Sequence, residues 1–254
     1  MIRFFFILAT IISVNSFAQT PLLVDEWKSY PVPSSKDSLM KYNYSKNWYV
    51  TIEKDKIIGN TIENECDALP FIITTGKSIF DKFYGEQSIV KVSDGFLVGF
   101  YRGEWGGSLY WFSEDGKQNY KISDSMVIQF IKRENKLYAI EGLAHMGLSY
   151  GSIIEINNID GKWTAKEYLS LPSSPAAIAL DKANSFIVIT SNSLLQINRD
   201  ATITTLIEKG FWKPYLYPAS ATINMKNNTA YLGMRGGVFK YNLTAKIQEW
   251  LMPY

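Results

Sequence analysis

The sequence has 254 residues, a formal net charge of +2 and a single cysteine, Cys66. A charge balance this close to zero argues against nucleic acid or an acidic membrane surface as the partner, and one cysteine cannot form a disulfide within the chain. Aromatic residues make up 15% of the chain, a composition that favours strands.

The first 18 residues have the pattern of a secretory signal peptide. Arg3 gives a positive start, residues 4–14 form an apolar run, and Ser16-Phe17-Ala18 places small residues where a signal peptidase needs them. A membrane anchor is the alternative, but the run is shorter than the roughly 20 apolar residues that span a bilayer. We therefore expect cleavage near Ala18 and a secreted or periplasmic mature chain without a transmembrane segment.

The segment after the cleavage site predicts a lone strand and then a first, weakly marked repeat unit. Pro21 and Pro31 bracket residues 22–30, which we expect to pair with the last unit and so close a ring and hide its edges. The unit that follows is predicted to have strands at residues 37–40, 47–52, 56–62 and 71–74.

Four stronger repeat units follow, each marked by a turn pair and an apolar run. The run that starts at Gly107 returns at Gly151, Asn192 and Gly236, with spacings of 44, 41 and 44 residues. Two strands precede each run and one follows it, separated by turns rich in Asp, Asn and Gly. The predicted strands are 88–92, 96–101, 107–112, 119–122; 126–132, 136–141, 151–156, 164–169; 176–180, 185–190, 192–197, 203–207; and 221–225, 229–234, 236–241, 247–251.

This period of 40–50 residues is typical of propeller blades. The sequence predicts an all-β fold, a five-bladed β-propeller of four-stranded meander blades, with residues 19–254 forming one domain. A β-sandwich has similar strands, but nothing in that fold requires a four-strand unit to repeat at one period.

In period and strand order the mature chain resembles β-propeller repeat proteins in general. Ser113-Glu114-Asp115-Gly116 resembles the Asp-box of sialidase propellers, although it lacks the residue expected between Asp115 and Gly116. The size is similar to that of five-bladed lectins of the tachylectin type and of five-bladed glycosidases. No catalytic motif of either group is matched, so the resemblance implies a fold and no site residue.

The predicted connections differ sharply between the two faces of such a disc. One face has only tight turns, while the other has the long segments 76–87, 102–106, 142–150, 209–219 and the link 234–236. Long loops on a rigid scaffold are where binding and catalytic residues concentrate. We therefore expect a ligand site on the long-loop face.

The candidate ligand-binding residues are the aromatic, arginine and histidine side chains of that face. Aromatic rings could stack on sugars or anchor a protein partner, or they could pack beneath the loops. The two arginines could fork onto a carboxylate or bridge to a neighbouring Glu, and the whole set could merely plug the funnel of the ring. The candidates are Arg102, Trp105, His145, Tyr150, Trp212, Tyr215, Tyr217 and Arg235.

The candidate catalytic residues are Glu104, Glu141 and His145. Two carboxylates could act as acid and base on a glycosidic bond, and His145 is the only histidine, a side chain that titrates near neutrality. The alternative is two solvated or Arg-paired acids and an ordinary loop histidine. Asp-Gly pairs are explained by hairpin turns, so we expect no metal site and no cofactor.

These observations favour a monomeric, exported binding module over an enzyme. The expected ligand or partner is a glycan, a peptide or an envelope protein. The alternative is a carbohydrate-active hydrolase or lyase that uses the acidic residues of the same face.

Overall fold

The computed structural model describes residues 22–62 and 67–253. The predicted signal peptide, its cleavage site and Cys66 lie outside these residues. None of the helices in the described part has the length or the apolar composition needed to cross a lipid bilayer.

The described chain is built from antiparallel strands arranged in five sheets. The strands are β1 (Leu22–Leu23), β2 (Lys28–Tyr30), β3 (Tyr49–Glu53), β4 (Lys56–Asn60), β5 (Glu86–Val92), β6 (Gly95–Tyr101), β7 (Gly107–Phe112), β8 (Asn119–Ser123), β9 (Val127–Arg133), β10 (Lys136–His145), β11 (Leu148–Ile159), β12 (Lys162–Leu171), β13 (Pro175–Leu180), β14 (Phe186–Thr190), β15 (Leu194–Ile197), β16 (Ile203–Ile207), β17 (Ser220–Asn224), β18 (Thr229–Met234), β19 (Gly237–Asn242) and β20 (Gln248–Met252).

Four sheets follow the predicted meander order. Sheet 2 holds β5 to β8, sheet 3 holds β9 to β12, sheet 4 holds β13 to β16, and sheet 5 holds β17 to β20 with β2 as an added fifth strand. The all-β fold and the four strong repeat units predicted from the sequence are thereby confirmed.

The N-terminal segment departs from the prediction because it is divided between two sheets. A 3-10 turn over Val24–Glu26 separates β1, which pairs with β4, from β2, which pairs with β20. The expected pairing with the last unit is confirmed for Lys28–Tyr30, since Lys28 lies opposite Met252 and Tyr30 opposite Trp250.

Sheet 1 has three strands, in the order β1-β4-β3, and the prediction for this unit was wrong at both ends. Residues 37–40 belong to a helix, α1 (Lys36–Tyr42), because the Ser35 and Ser38 hydroxyls cap its first turn reciprocally. Residues 71–74 form no strand. Phe71 instead packs on Phe96 and Phe112, with ring centroids 5.8 Å from each.

The core consists of apolar layers between neighbouring sheets. β14 shows how a strand serves two layers: Phe186 and Val188 pack towards sheet 3, while Ile187 and Ile189 pack towards sheet 5. Similar layers join sheet 2 to sheet 3 and sheet 5 to sheet 1. The other face of sheet 2 is covered by side chains of the segment from residue 69 to residue 83.

The first strand of each of sheets 2 to 5, together with β3 of sheet 1, borders a common central cavity of about 460 Å³. Ile89, Ile128, Ala176, Ala221 and Val50 represent the five sheets in its wall. All five sheets therefore contribute residues to one cavity.

Candidate functional site

A larger cavity, of about 690 Å³, lies where these inner strands meet the long loops. Its walls come from sheets 2, 3 and 4 and from the segment that follows sheet 4. The lining includes Glu86, Tyr101, Ala144, His145, Met146, Leu148, Ser149, Ser174, Ser191, Trp212, Lys213 and Tyr217.

One wall is the end of the β10–β11 hairpin, and this corrects the predicted loop at residues 142–150. The two strands stay paired as far as His145 and Leu148, so the connection is only Met146 and Gly147. These residues have φ of 45° and 90°, the left-handed values that a two-residue hairpin turn needs. The site is therefore bordered here by a strand ribbon.

Two of the predicted catalytic candidates meet at the rim of the cavity. His145 Nε2 lies 2.6 Å from Glu104 Oε2, and both side chains are about half exposed. Glu104 belongs to a 3-10 turn over Gly103–Trp105 that connects β6 to β7. The pair thus ties the tip of sheet 3 to a loop of sheet 2.

Glu141 has different partners. One oxygen of its carboxylate accepts from the Met126 N–H at 3.2 Å, and the other accepts from the Ser152 hydroxyl at 2.9 Å. Both partners lie within or next to sheet 3, so the recorded contacts of Glu141 hold strands in register. Glu104 and Glu141 thus have different polar partners.

The two candidate arginines bind backbone and amide oxygens. Arg102 donates to the Ile79 and Gly107 carbonyls at 3.1 and 3.2 Å. Arg235 donates to the Asn43 carbonyl at 2.9 Å and to the Asn43 side-chain oxygen at 3.0 Å. Among the described residues neither arginine forms an ion pair with a Glu.

The aromatic candidates divide into a buried anchor and exposed rings. Trp212 is 1% exposed, and its indole Nε1 donates to the Thr190 carbonyl at 3.0 Å. Tyr215 packs against the same core. Trp105, Tyr150 and Tyr217 each expose about half of their surface.

Tyr217 is the exposed ring that lines the cavity. The Arg235 guanidinium lies 4.6 Å from its ring centroid, a cation–π contact that holds the ring in place. Its backbone φ of 41° lies in the left-handed region, which a bulky residue adopts only when its surroundings require it. Arg235 therefore acts on the cavity by positioning Tyr217.

Several lining residues were missed by the sequence analysis. Three serines converge on the wall: the Ser149 and Ser191 hydroxyls lie 2.8 Å apart, and the Ser174 N–H donates to Ser149 Oγ at 2.9 Å. Glu86 and Lys213 supply one charge of each sign. These residues come from separate repeat units and form no motif, so no spacing in the sequence indicated them.

Tyr101 adds a phenol to the wall beside Glu86, its partner across the β5–β6 ladder. Burial, and then the nearby Glu86 carboxylate, raise the pKa of Tyr101 above its usual value. The hydroxyl, which is protonated at neutral pH, keeps its proton to a higher pH than an ordinary tyrosine and can donate a hydrogen bond into the cavity.

Across residues 22–62 and 67–253, no three His, Cys, Asp or Glu side chains are grouped closely enough to hold a metal ion. The polar groups of the cavity wall are hydroxyls and a few charged side chains, and the Tyr217 ring adds an exposed aromatic face.

No protein-family model matches the sequence, and no curated protein matches it. Among solved structures, a virginiamycin B lyase from Staphylococcus aureus matches with 14% identity and a TM-score of 0.47, covering 90% of this chain and 75% of its own. The extracellular domain of a putative one-component system from B. thetaiotaomicron matches with 13% identity and a TM-score of 0.48, covering 81% of this chain and 28% of its own.

A gluconolactonase from Xanthomonas campestris matches with 12% identity and a TM-score of 0.45, covering 68% of this chain and 58% of its own. The chain thus spans less than two thirds of the length of two of these three proteins. Matches at these identities and scores say nothing about what this chain binds or catalyses.

Proposed function

We propose that the protein is an exported five-bladed β-propeller whose function is to bind a glycan or a peptide in the 690 Å³ cavity. The single observation that carries this proposal is the cavity itself. Its volume falls in the range of about 300–1,000 Å³ that is usual for ligand sites. The export step rests on residues 1–18 of the sequence.

The composition of the wall supports binding of an organic ligand. Apolar and proline side chains form about half of it, and the remainder includes the converging serines, Tyr101 and His145. Such a mixture gives contact area together with a few directional hydrogen bonds. The Tyr217 ring, fixed by Arg235, offers a flat surface for a sugar ring or a side chain.

The predicted residues then take different parts in binding. His145, Trp212 and Tyr217 line the cavity, Arg235 positions Tyr217, and Arg102 shapes the adjacent loop. Trp105, Tyr150 and Tyr215 lie outside the lining. We assign the exposed rings of Trp105 and Tyr150 to the outer rim.

A thermal-shift screen against glycans, peptides and divalent metals tests the proposal. A ligand at 100 times its Kd adds about 2.7 kcal/mol of stability. Tyr217→Ala should weaken binding of any hit by about tenfold, because it removes the exposed ring from the wall. Asp160→Ala, a tight-turn substitution away from the cavity, is the matched control and should bind normally. The reverse pattern would place the site on the opposite face.

The Glu104–His145 contact favours one second candidate, a carbohydrate-active hydrolase or lyase. A carboxylate that orients an imidazole is a common arrangement for general-base chemistry. Turnover of a bound glycan that disappears in His145→Ala and in Glu104→Gln would establish this reading. Binding of the same glycan without turnover would exclude it for that ligand.

A further inference from the structure

The β10 strand continues past the end of its inner neighbour. β9 pairs with β10 only as far as Glu141, opposite Val127, whereas β10 and β11 remain paired to His145 and Leu148. The last four residues of β10, Gly142 to His145, therefore have a strand partner on one side only.

The hairpin turn determines which backbone groups face the open side. In a two-residue turn the flanking residues, here His145 and Leu148, form the hydrogen-bonded pair. Ala144 precedes them and forms a non-hydrogen-bonded pair with Ser149, so its N–H and C=O point away from β11. These groups face the side on which β9 has already ended.

The neighbouring loop does not fill this edge with its own backbone. The loop between β6 and β7 bonds within itself, from Arg102 N–H to Gly106 carbonyl and from Gly106 N–H to Gly103 carbonyl. Its recorded polar contact with the hairpin tip is through side chains, between Glu104 and His145. Ala144 is exposed, and both Ala144 and His145 line the cavity.

An open strand edge that borders a ligand-sized cavity is suited to an extended peptide. Unpaired N–H and C=O groups recruit another strand, and recognition domains use such edges to bind peptides by strand addition. A glycan has no repeating N–H and C=O pattern to match this edge. The unpaired backbone groups of this edge therefore favour a peptide over a glycan, the two ligand classes that the proposed function leaves open.

The charges of the cavity also fit a peptide. Glu86 and Lys213 both line it, and within residues 22–62 and 67–253 neither forms an ion pair. The Glu86 carboxylate and the Lys213 ammonium are opposite in charge, as are the two ends of a short peptide with free termini.

Gly142 and Leu143 are buried, so the accessible part of this edge is Ala144 and His145. We propose that the cavity binds short extended peptides, and that the peptide backbone adds to β10 at Ala144 and His145. This inference rests on the proposed function and names the ligand class of the same site. Side chains of the bound peptide would alternate between the cavity wall and the exposed apolar tip formed by Met146 and Leu148.

The test uses three probes with the mature protein. They are a pool of tetrapeptides with free termini, the same pool methylated at alternate backbone amides, and a set of cello-, xylo- and chito-oligosaccharides. We expect saturable thermal stabilisation by the first pool and at least tenfold weaker binding of the methylated pool, because methylation removes the ladder donors.

Two variants at one position then separate strand addition from other binding in the cavity. Ala144→Pro removes the outward N–H and should weaken tetrapeptide binding about tenfold. Ala144→Val keeps the N–H and should bind within about twofold of the parent. Unchanged melting temperatures of both variants without ligand would show that the hairpin is intact.

The outcomes distinguish the two proposals. Stabilisation by oligosaccharides alone would overturn the peptide inference and leave the proposed function standing. Peptide binding that is lost in Tyr217→Ala but unaffected by Ala144→Pro and by methylation would refute strand addition while keeping the cavity as the site. Failure of every probe at millimolar concentration would count against both proposals.

Discussion

Trp212 should be the main anchor of the loop that roofs the cavity. Its indole is buried against Phe211 and Phe239, with ring centroids 5.5 and 6.0 Å away, and its Nε1 bonds to the Thr190 carbonyl at the end of β14. The side chain thus connects the segment between sheets 4 and 5 to the core that lies beneath it.

Replacing Trp212 by Ala should lower the free energy of unfolding by about 3–5 kcal/mol, the usual cost of deleting a buried aromatic side chain. Trp212→Phe keeps most of the apolar contact but leaves the Thr190 carbonyl without its donor, which costs about 1–3 kcal/mol. For a domain of this size each kcal/mol lowers the melting temperature by about 2–4 °C. Trp212→Ala should therefore melt about 10 °C below the parent.

The matched control is Trp105→Ala, the same chemical change at a side chain that is 56% exposed. It should alter stability by no more than about 0.5 kcal/mol. Thermal melts and urea titrations of the three variants give both quantities. Equal effects at positions 105 and 212 would refute the assignment of Trp212 as the buried anchor.

Two further predictions concern the turn between β7 and β8 and the N-terminus. Hydrogen bonds from the Ser113 hydroxyl and the Lys117 N–H lower the pKa of Asp115 to about 2. The ionised Asp115 therefore stabilises the fold above its unfolded pKa of about 4, and this stabilisation is lost as the pH falls towards 2. Asp115→Asn should reduce the fall in melting temperature over that interval, and an unchanged pH profile would contradict this. The intact mass of the exported protein should correspond to a chain that begins near Gln19. A full-length chain in the membrane fraction would disprove cleavage.

The four strong repeat units could be predicted because each consists of short apolar strands separated by tight turns, and only a few residue types are favoured in such turns. The first unit could not, because its local signals compete. Residues 37–40 match residues 124–127, which lead into a strand, but the Ser35 and Ser38 hydroxyls cap the first turn of a helix. The reciprocal cap was visible in the sequence only as two serines three residues apart.

The hairpin that walls the cavity was read as a loop because of its glycines. Gly147 does occupy a turn, but Gly142 and Gly151 lie opposite each other in the ladder. A Cβ added at Gly151 would come within 2.3 Å of Pro175 Cδ, so this glycine is required by close packing against sheet 4. Sequence pattern alone does not separate a glycine needed for a turn from one needed for close approach.

The candidate site was predicted only in part for a similar reason. Loop length and residue type led to His145, Trp212 and Tyr217, which the structure places on one cavity. Glu86 and Lys213 reach that cavity from the start of one strand and from a distant loop, and their proximity depends on how the sheets pack.

The division of the N-terminal segment between sheets 1 and 5 has a consequence for biosynthesis. Ser29 and Glu249 share a hydrogen bond although 220 positions separate them, and β2 completes the edge of β20. β2 is synthesised early but cannot pair until β20 has been synthesised, whereas the middle sheets can form from contacts within their own units. A ribosome that stalls before β20 would therefore release a chain whose β2 has no partner, a natural target for quality-control proteases.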